Sequence, residues 1–288
     1  MHVRVIQPLI PHYRLALFRK LSQIPDIKLI VCAGRSLPWV RNLQSVDTGE
    51  SWQDLDHPAI RVGGTPFLWQ KGLQLPRSFK KGDVLVLCGE LRYLSNYPLL
   101  LEARRRGVSV VWWTHAFGPN GQIADSARIS MARLCDVTLL YLDSERQAYI
   151  SRGFYPDNVF AAQNAIDQDP IEKAKRAWPA ERLAQFLRDR KLAGCKVLLY
   201  CGRLSDATRL AVGLRALSEL VQNDPSYRFI FIGDGDCRDY LLSLSEQLRV
   251  GKHVQFLGSI YDQNLMAPWF LIAQALVFPR SLGLSVFH

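Results

Sequence analysis

The chain has 288 residues, 48% of them hydrophobic, 22% charged and 10% aromatic, a composition that fits two ordinary globular domains and excludes collagen-like, low-complexity and disordered classes. The formal net charge is +10, of which residues 1–163 hold +7 and residues 164–288 hold +3, so the first half suits an anionic ligand or surface better than the second. The longest apolar stretch, Ala267 to Phe278, contains Pro268 and Gln274 and falls short of the ~20 residues a membrane span requires.

The N-terminus, MHVRVIQPLIPHYR, has charges inside its apolar part and no small-residue cleavage site, so it does not read as a signal peptide and a cytoplasmic location is expected. From there, short β-branched runs alternate with segments of helical period, the signature of a parallel sheet flanked by helices. Strands are predicted at Val3 to Gln7, Lys28 to Ala33, Val84 to Cys88, Val108 to Thr114 and Val137 to Tyr141. A helix over His12 to Leu21 sets Leu17, Phe18 and Leu21 on an apolar side and Arg14, Arg19 and Lys20 on the other. Residues Gly34 to Gln74 carry many turn residues together with Trp39, Trp52 and Trp69, and a surface loop region is expected there. The helix from Asn96 to Arg106 can present Leu99, Leu100 and Ala103 to the sheet and ends on three arginines, cations that complement a helix C-terminus.

A second alternating series begins at Lys196, with strands KVLLYCG, YRFIFIG, HVQFLG and ALVFP separated by helices near Thr208 to Asn223, Cys237 to Arg249 and Gln263 to Phe270. Between the series lies NAIDQD, then a charged stretch of helical period from Pro170 to Arg190, which puts a domain boundary near Asn164. The expected fold is α/β: two doubly wound Rossmann-like domains, residues 1–163 and 164–288, facing a cleft at the carboxyl ends of their strands. The series stops at His288 where a further helix should begin, so the second domain is expected to be incomplete. The six cysteines include no CxxC pair, and several sit inside apolar runs such as LIVCAG; buried reduced thiols fit better than a zinc site.

Three places carry chemistry. Gly202-Arg203 follows a strand and precedes a helix: a glycine that lets the backbone approach and an arginine with a planar fork suit a diphosphate, although the same pair also makes an ordinary turn with a solvated arginine. Gly233-Asp234-Gly235 occupies the next strand-to-helix turn, where a ligand or another backbone can come close and Asp234 could cap the helix. It is not a dinucleotide fingerprint, because position 238 is Arg. His115, just past the strand ending in Trp112-Trp113-Thr114, would lie at the rim of a cleft, where its ring nitrogens can donate or accept a hydrogen bond, although a lone histidine also reads as a structural one. The DxD triplets at Asp54, Asp167 and Asp234 could hold a divalent cation, but Asp236 also reads as a first-turn helix residue and Asp167 and Asp169 as linker or cap residues.

In order, GRLSDATRL, FIFIGDGDCRDYLL, VQFLG and VFPRSLGLSVFH, preceded by PHYRLALFRKL, VVWWTHAFG and VFAAQNAID, resemble the retaining GT-B glycosyltransferases of family 4, over nearly the whole chain. The resemblance implies sugar transfer from a nucleoside-diphosphate sugar, without a metal or other cofactor, to a glycan or lipid-linked acceptor. The first domain would be on the acceptor side and the second would bind the donor. Carried over by position, Arg203 and Arg209 would pair with the diphosphate, Gly202, Gly233 and Gly235 would shape its site, Gly283, Leu284 and His288 would contact the donor, and His115 would hold the donor sugar. Thr208 stands where the family usually has Lys, and Arg280 and His288 stand where it usually has glutamates. These departures leave room for a second reading, a non-catalytic binding or scaffold protein of glycan assembly. Many members act at membranes, which makes an anionic membrane surface a candidate partner of the basic first domain; no nucleic-acid motif is present.

Overall fold

The computed structural model describes residues 1–37, 45–46, 52–63, 67–116, 122–163, 165–280 and 284–288. The chain divides into two compact units, Met1–Asn164 and Ala165–His288.

The first unit runs β1 (His2–Ile6), α1 (Leu15–Ser22), β2 (Lys28–Ala33), β3 (Gln53–Asp56), β4 (Ala59–Arg61), β5 (Leu68–Gln70), β6 (Val84–Cys88), α2 (Asn96–Arg105), β7 (Ser109–Trp113), α3 (Gln122–Ala132), β8 (Val137–Leu140), α4 (Asp143–Ile150) and β9 (Val159–Ala161). Its main sheet has the order β3-β2-β1-β6-β7-β8-β9, and every neighbouring pair is parallel. Successive residues of a strand face opposite sides of a sheet, and here each side has its own core. Ile6, Cys32, Leu85, Leu87 and Trp112 pack on one side with Leu99, Leu100 and Ala103 of α2, the three positions its spacing predicts. Val5, Val31 and Trp113 pack on the other with Phe18 of α1. Burying one such side chain contributes roughly 1.5–3 kcal/mol.

The reading of Gly34 to Gln74 as a loop region is corrected by the structure. Gln53–Asp56 pairs in register with β2, Ile30 opposite Gln53 through Ala33 opposite Asp56, and β4 and β5 form an antiparallel pair. The sequence QDLD of β3 has little apolar signal because an edge strand is held mainly by its backbone bonds. Trp52, just before it, is buried against Phe18 with ring centroids 5.5 Å apart. Trp39 lies outside the described residues.

A second correction concerns Arg14, which the helical pattern sets with Arg19 and Lys20 on the polar side of α1. Arg14 turns inward: its guanidinium donates to Gln7 Oε1 (2.8 Å) and to the Tyr141 hydroxyl (2.5 Å), and lies 4.5 Å from the centre of the Trp113 ring. Arg106 folds back on the segment before β6, with Nη2 2.6–2.8 Å from the carbonyl oxygens of Pro76, Arg77 and Phe79. Leu17, assigned to the apolar side of α1, is exposed, while Phe18 is its buried anchor.

The second unit runs α5 (Asp169–Arg176), α6 (Ala180–Asp189), β10 (Lys196–Cys201), α7 (Leu210–Asn223), β11 (Tyr227–Ile232), α8 (Arg238–Gln247), β12 (Val254–Phe256), α9 (Gln263–Ile272) and β13 (Ala273–Leu276). Its parallel sheet has the order β12-β11-β10-β13. The last strand begins earlier than ALVFP suggests, because α9 passes into β13 without a loop and Pro268 is accommodated inside the helix. All six cysteines are free; burial pushes the thiol of Cys32 up to about 11 and those of Cys88, Cys135 and Cys201 up to about 12. Among the described residues, no helix is long and apolar enough to cross a membrane.

Candidate functional site

In the second unit, β10 has β11 on one side and β13 on the other, so the loop leaving β10 starts at the point where the strand order reverses, the usual ligand position in open parallel sheets. That loop is Gly202 to Arg209. It is laced to the next strand-end loop by backbone bonds: Gly202 N–H donates to Ile232 O (2.9 Å), Leu204 N–H to Asp234 O (3.0 Å) and Cys237 N–H to Leu204 O (3.1 Å), while Gly233 N–H donates to Gly258 O (2.8 Å). Tyr200 adds an anchor, its hydroxyl donating to Arg203 O at 2.8 Å, and burial pushes its pKa up to about 12, so the hydroxyl keeps its proton.

These contacts assign the glycines a definite task. A Cβ on Gly233 (φ +134°) would lie 1.8 Å from Gly202 O, and one on Gly235 would lie 2.3 Å from Leu204 O. The close approach that both positions require is therefore that of the neighbouring backbone. The Asp234 carboxylate accepts from Gly235 N–H at 2.8 Å, and the N-cap position of α8 is Cys237.

Arg203 is exposed on this double loop, 3.6 Å from the equally exposed Asp236 carboxylate, a pairing worth little in water. Arg209 occupies the N-cap of α7 in a left-handed conformation (φ +53°, ψ +36°) that costs a non-glycine residue stability, and its own side chain makes no cap bond. Thr208, where the resemblance would place a lysine, spends its hydroxyl on Ser205 O (2.5 Å). The structure thus brings Gly202, Arg203, Gly233 and Gly235 together in one pair of strand-end loops and sets Arg209 at the helix that follows. Such a helix start, with its orphan N–H groups and nearby cations, suits an anion.

The remaining donor-side candidates fall elsewhere. Gly283 lies outside the described residues. Leu284 belongs to a short 3-10 turn, Leu284–Phe287. The His288 ring packs on Phe270 of α9 (centroids 5.3 Å apart) and lines a groove with Ile171, Lys175 and the strand β13, a lining that includes none of Gly202, Arg203, Gly233 or Gly235.

In the first unit, the carboxyl ends of β7 and β8 build a second polar cluster. Thr114 Oγ1 donates to Gly89 O (2.7 Å), and a Cβ on Gly89 would come 2.5 Å from Thr114 Cβ, so the ends of β6 and β7 are tightly joined. Next to them, His115 is 56% exposed at its side chain and sits 3.3 Å from the Glu145 carboxylate, which is 12% exposed. The His115 ring stacks on Tyr141 at 4.1 Å, and the Tyr141 hydroxyl takes the hydrogen bond from Arg14. Burial pushes the Tyr141 phenol up despite the nearby Arg14. Gln7, at the end of β1, joins this cluster through Arg14 and through its own carbonyl, which accepts from Gln70 Nε2 (3.1 Å). Neither the inward turn of Arg14 nor the parts that Tyr141 and Glu145 play in this cluster is visible in the sequence. Their one local signal was a carboxylate three residues after Leu142, in the position that bonds a helix N-cap.

Residues 184–285 match the family described as glycosyl transferases group 1. No curated protein matches the chain. Among solved structures it is similar to Anabaena HepE in complex with UDP (13% identity, TM-score 0.63), with 98% of this chain and 75% of that chain covered. A glycosyltransferase from Rickettsia africae gives 11% identity and a TM-score of 0.64, covering 97% and 73%. The α,α-trehalose 6-phosphate synthase from Burkholderia multivorans gives 14% and 0.63, covering 96% and 76%. At these identities the likeness is one of fold. The matched residues thus lie in the second unit, and the chain shares its α/β fold with these solved structures.

Proposed function

We propose that this chain transfers a sugar from a nucleoside-diphosphate sugar to a glycan or lipid-linked acceptor with retention of configuration at the anomeric carbon. The observation that carries the reading is Arg203, an exposed cation on a loop braced by Tyr200, Gly233 and Gly235 at the strand-order reversal of the second sheet, inside the matched domain. The crystallised relative whose complex contains UDP supports a nucleotide donor.

In this reading Arg203 and Arg209 hold the diphosphate beside the start of α7, with Gly283, Leu284 and His288 as further donor contacts and His115 holding the sugar. As the bond between the anomeric carbon and the diphosphate oxygen breaks, negative charge grows on that oxygen, and a preorganised guanidinium there stabilises the transition state. The same oxygen takes the proton of the acceptor hydroxyl as the new glycosidic bond forms on the same face. No metal takes part. The test is release of nucleotide from a panel of UDP- and GDP-sugars with and without EDTA, and the anomeric coupling constant of the product by proton NMR. An inverted product would refute retention, and loss of turnover with EDTA would refute the metal-free mechanism.

The acceptor side extends the proposal. Arg19, Lys20, Lys80, Lys81, Arg104 and Arg105 are exposed cations of the first unit and would attach it reversibly to anionic lipid at the inner face of the membrane, at ~1 kcal/mol per basic residue near the surface. Co-sedimentation with neutral and anionic vesicles at low and high salt tests this: attachment indifferent to lipid charge and salt, or none at all, would refute it.

A further inference from the structure

The His115 ring is held from two directions. Its face lies on Tyr141, with centroids 4.1 Å apart and 22° between the planes, and its Nδ1 is 3.3 Å from Glu145 Oε1. The carboxylate is itself fixed: Oε1 also accepts from Ala116 N–H (3.1 Å), while Oε2 accepts from Tyr141 N–H (3.0 Å) and Leu142 N–H (3.2 Å). Those three backbone donors come from the ends of β7 and β8, so Glu145 ties the two strand ends together and addresses the imidazole with the same group. An ionised carboxylate surrounded by donors has no hydrogen to give. The contact to His115 is therefore a hydrogen bond only when Nδ1 carries the proton, which leaves Nε2 with its lone pair in the neutral ring. Among the described residues Nε2 has no hydrogen-bond partner.

We propose that Glu145 is a positioning residue that holds His115 in the Nδ1–H tautomer and presents the Nε2 lone pair as a hydrogen-bond acceptor for a hydroxyl of the bound sugar. The sugar part rests on the transfer reading above; the tautomer part does not. The geometry also fixes what the uncharged isostere does. In Glu145→Gln one oxygen remains for four donors. If it stays with Tyr141 and Leu142, where two backbone N–H groups compete for it, the amide NH₂ faces His115. Nδ1 must then lose its proton to accept, and the ring changes tautomer.

The test is a long-range proton–nitrogen NMR spectrum of the ¹⁵N-histidine-labelled chain, recorded without any ligand at a pH where the ring is neutral. The His115 signals are assigned by their disappearance in His115→Gln, a change at a half-exposed ring. The expected result is Nδ1 at a pyrrole-type shift and Nε2 at a pyridine-type shift in the parent. In Glu145→Gln the ratio moves about tenfold or more toward Nε2–H, the equilibrium equivalent of one charged hydrogen bond. A predominantly Nε2–H ring in the parent would overturn the proposal whatever the variant does. An unchanged ratio in a Glu145→Gln chain whose circular dichroism and melting are those of the parent would overturn it as well. Neither outcome depends on turnover, so failure here is distinguishable from failure of the transfer reading.

Discussion

A Cβ placed on Gly233 would lie 1.8 Å from the carbonyl oxygen of Gly202, so the loops leaving β10 and β11 are pressed together backbone to backbone. Gly233→Ala must separate them or abandon φ +134°, and the expected cost is roughly 2–4 kcal/mol of stability. Urea unfolding of the variant beside the parent measures it. A loss under about 0.5 kcal/mol would mean that the loops are not packed as described.

Asp83 sets an acid limit on the first unit. Burial pushes its pKa up, but the hydrogen bonds it accepts from His2 and from the Lys80 backbone outweigh burial and hold the carboxyl below its usual value. Because the folded pKa is depressed, the stabilisation is fully present above the unfolded carboxyl pKa and is lost as pH falls through the folded one. Asp83→Asn should lower the melting temperature at pH 7 and converge on the parent as both are acidified towards pH 2. A difference independent of pH would contradict this linkage.

Arg106 closes the segment before β6 by gathering the carbonyls of Pro76, Arg77 and Phe79. Arg106→Met removes charged hydrogen bonds worth roughly 1.5–3 kcal/mol, and Arg106→Lys should recover less than half, because a point charge lacks the planar fork. Equal stability of the Lys variant and the parent would show that charge alone suffices.

The regular strands and α2 were legible because apolar runs and the spacing of Leu99, Leu100 and Ala103 declare the faces they bury. β3 was not, since QDLD carries no period and its place comes from hydrogen bonds to β2. The same holds for Arg14. Its helical position puts it with Arg19 and Lys20, yet Gln7 and Tyr141, contributed by two different strand ends, draw it inward. At the candidate sites, Gly202, Arg203 and His115 stood out by their position after strands. Glu145 did not, because its partners meet it only once β7 and β8 are side by side.

Arg209 separates stability from binding. Its left-handed backbone (φ +53°) is strained for any residue with a Cβ, at a cost of about 1 kcal/mol. Arg209→Gly should therefore raise or preserve stability in urea while weakening nucleoside-diphosphate affinity. A variant that binds as tightly as the parent would remove Arg209 from the site.

The transfer reading stands most directly on nucleotide binding through Arg203. Calorimetric titration of the parent chain and of Arg203→Ala with UDP and with GDP measures it. The parent should give heat with at least one of the two, and Arg203→Ala should lose roughly 1.5–3 kcal/mol of that binding, the worth of a charged hydrogen bond. Silence with both nucleotides at millimolar concentration, or equal binding by Arg203→Ala, would contradict it.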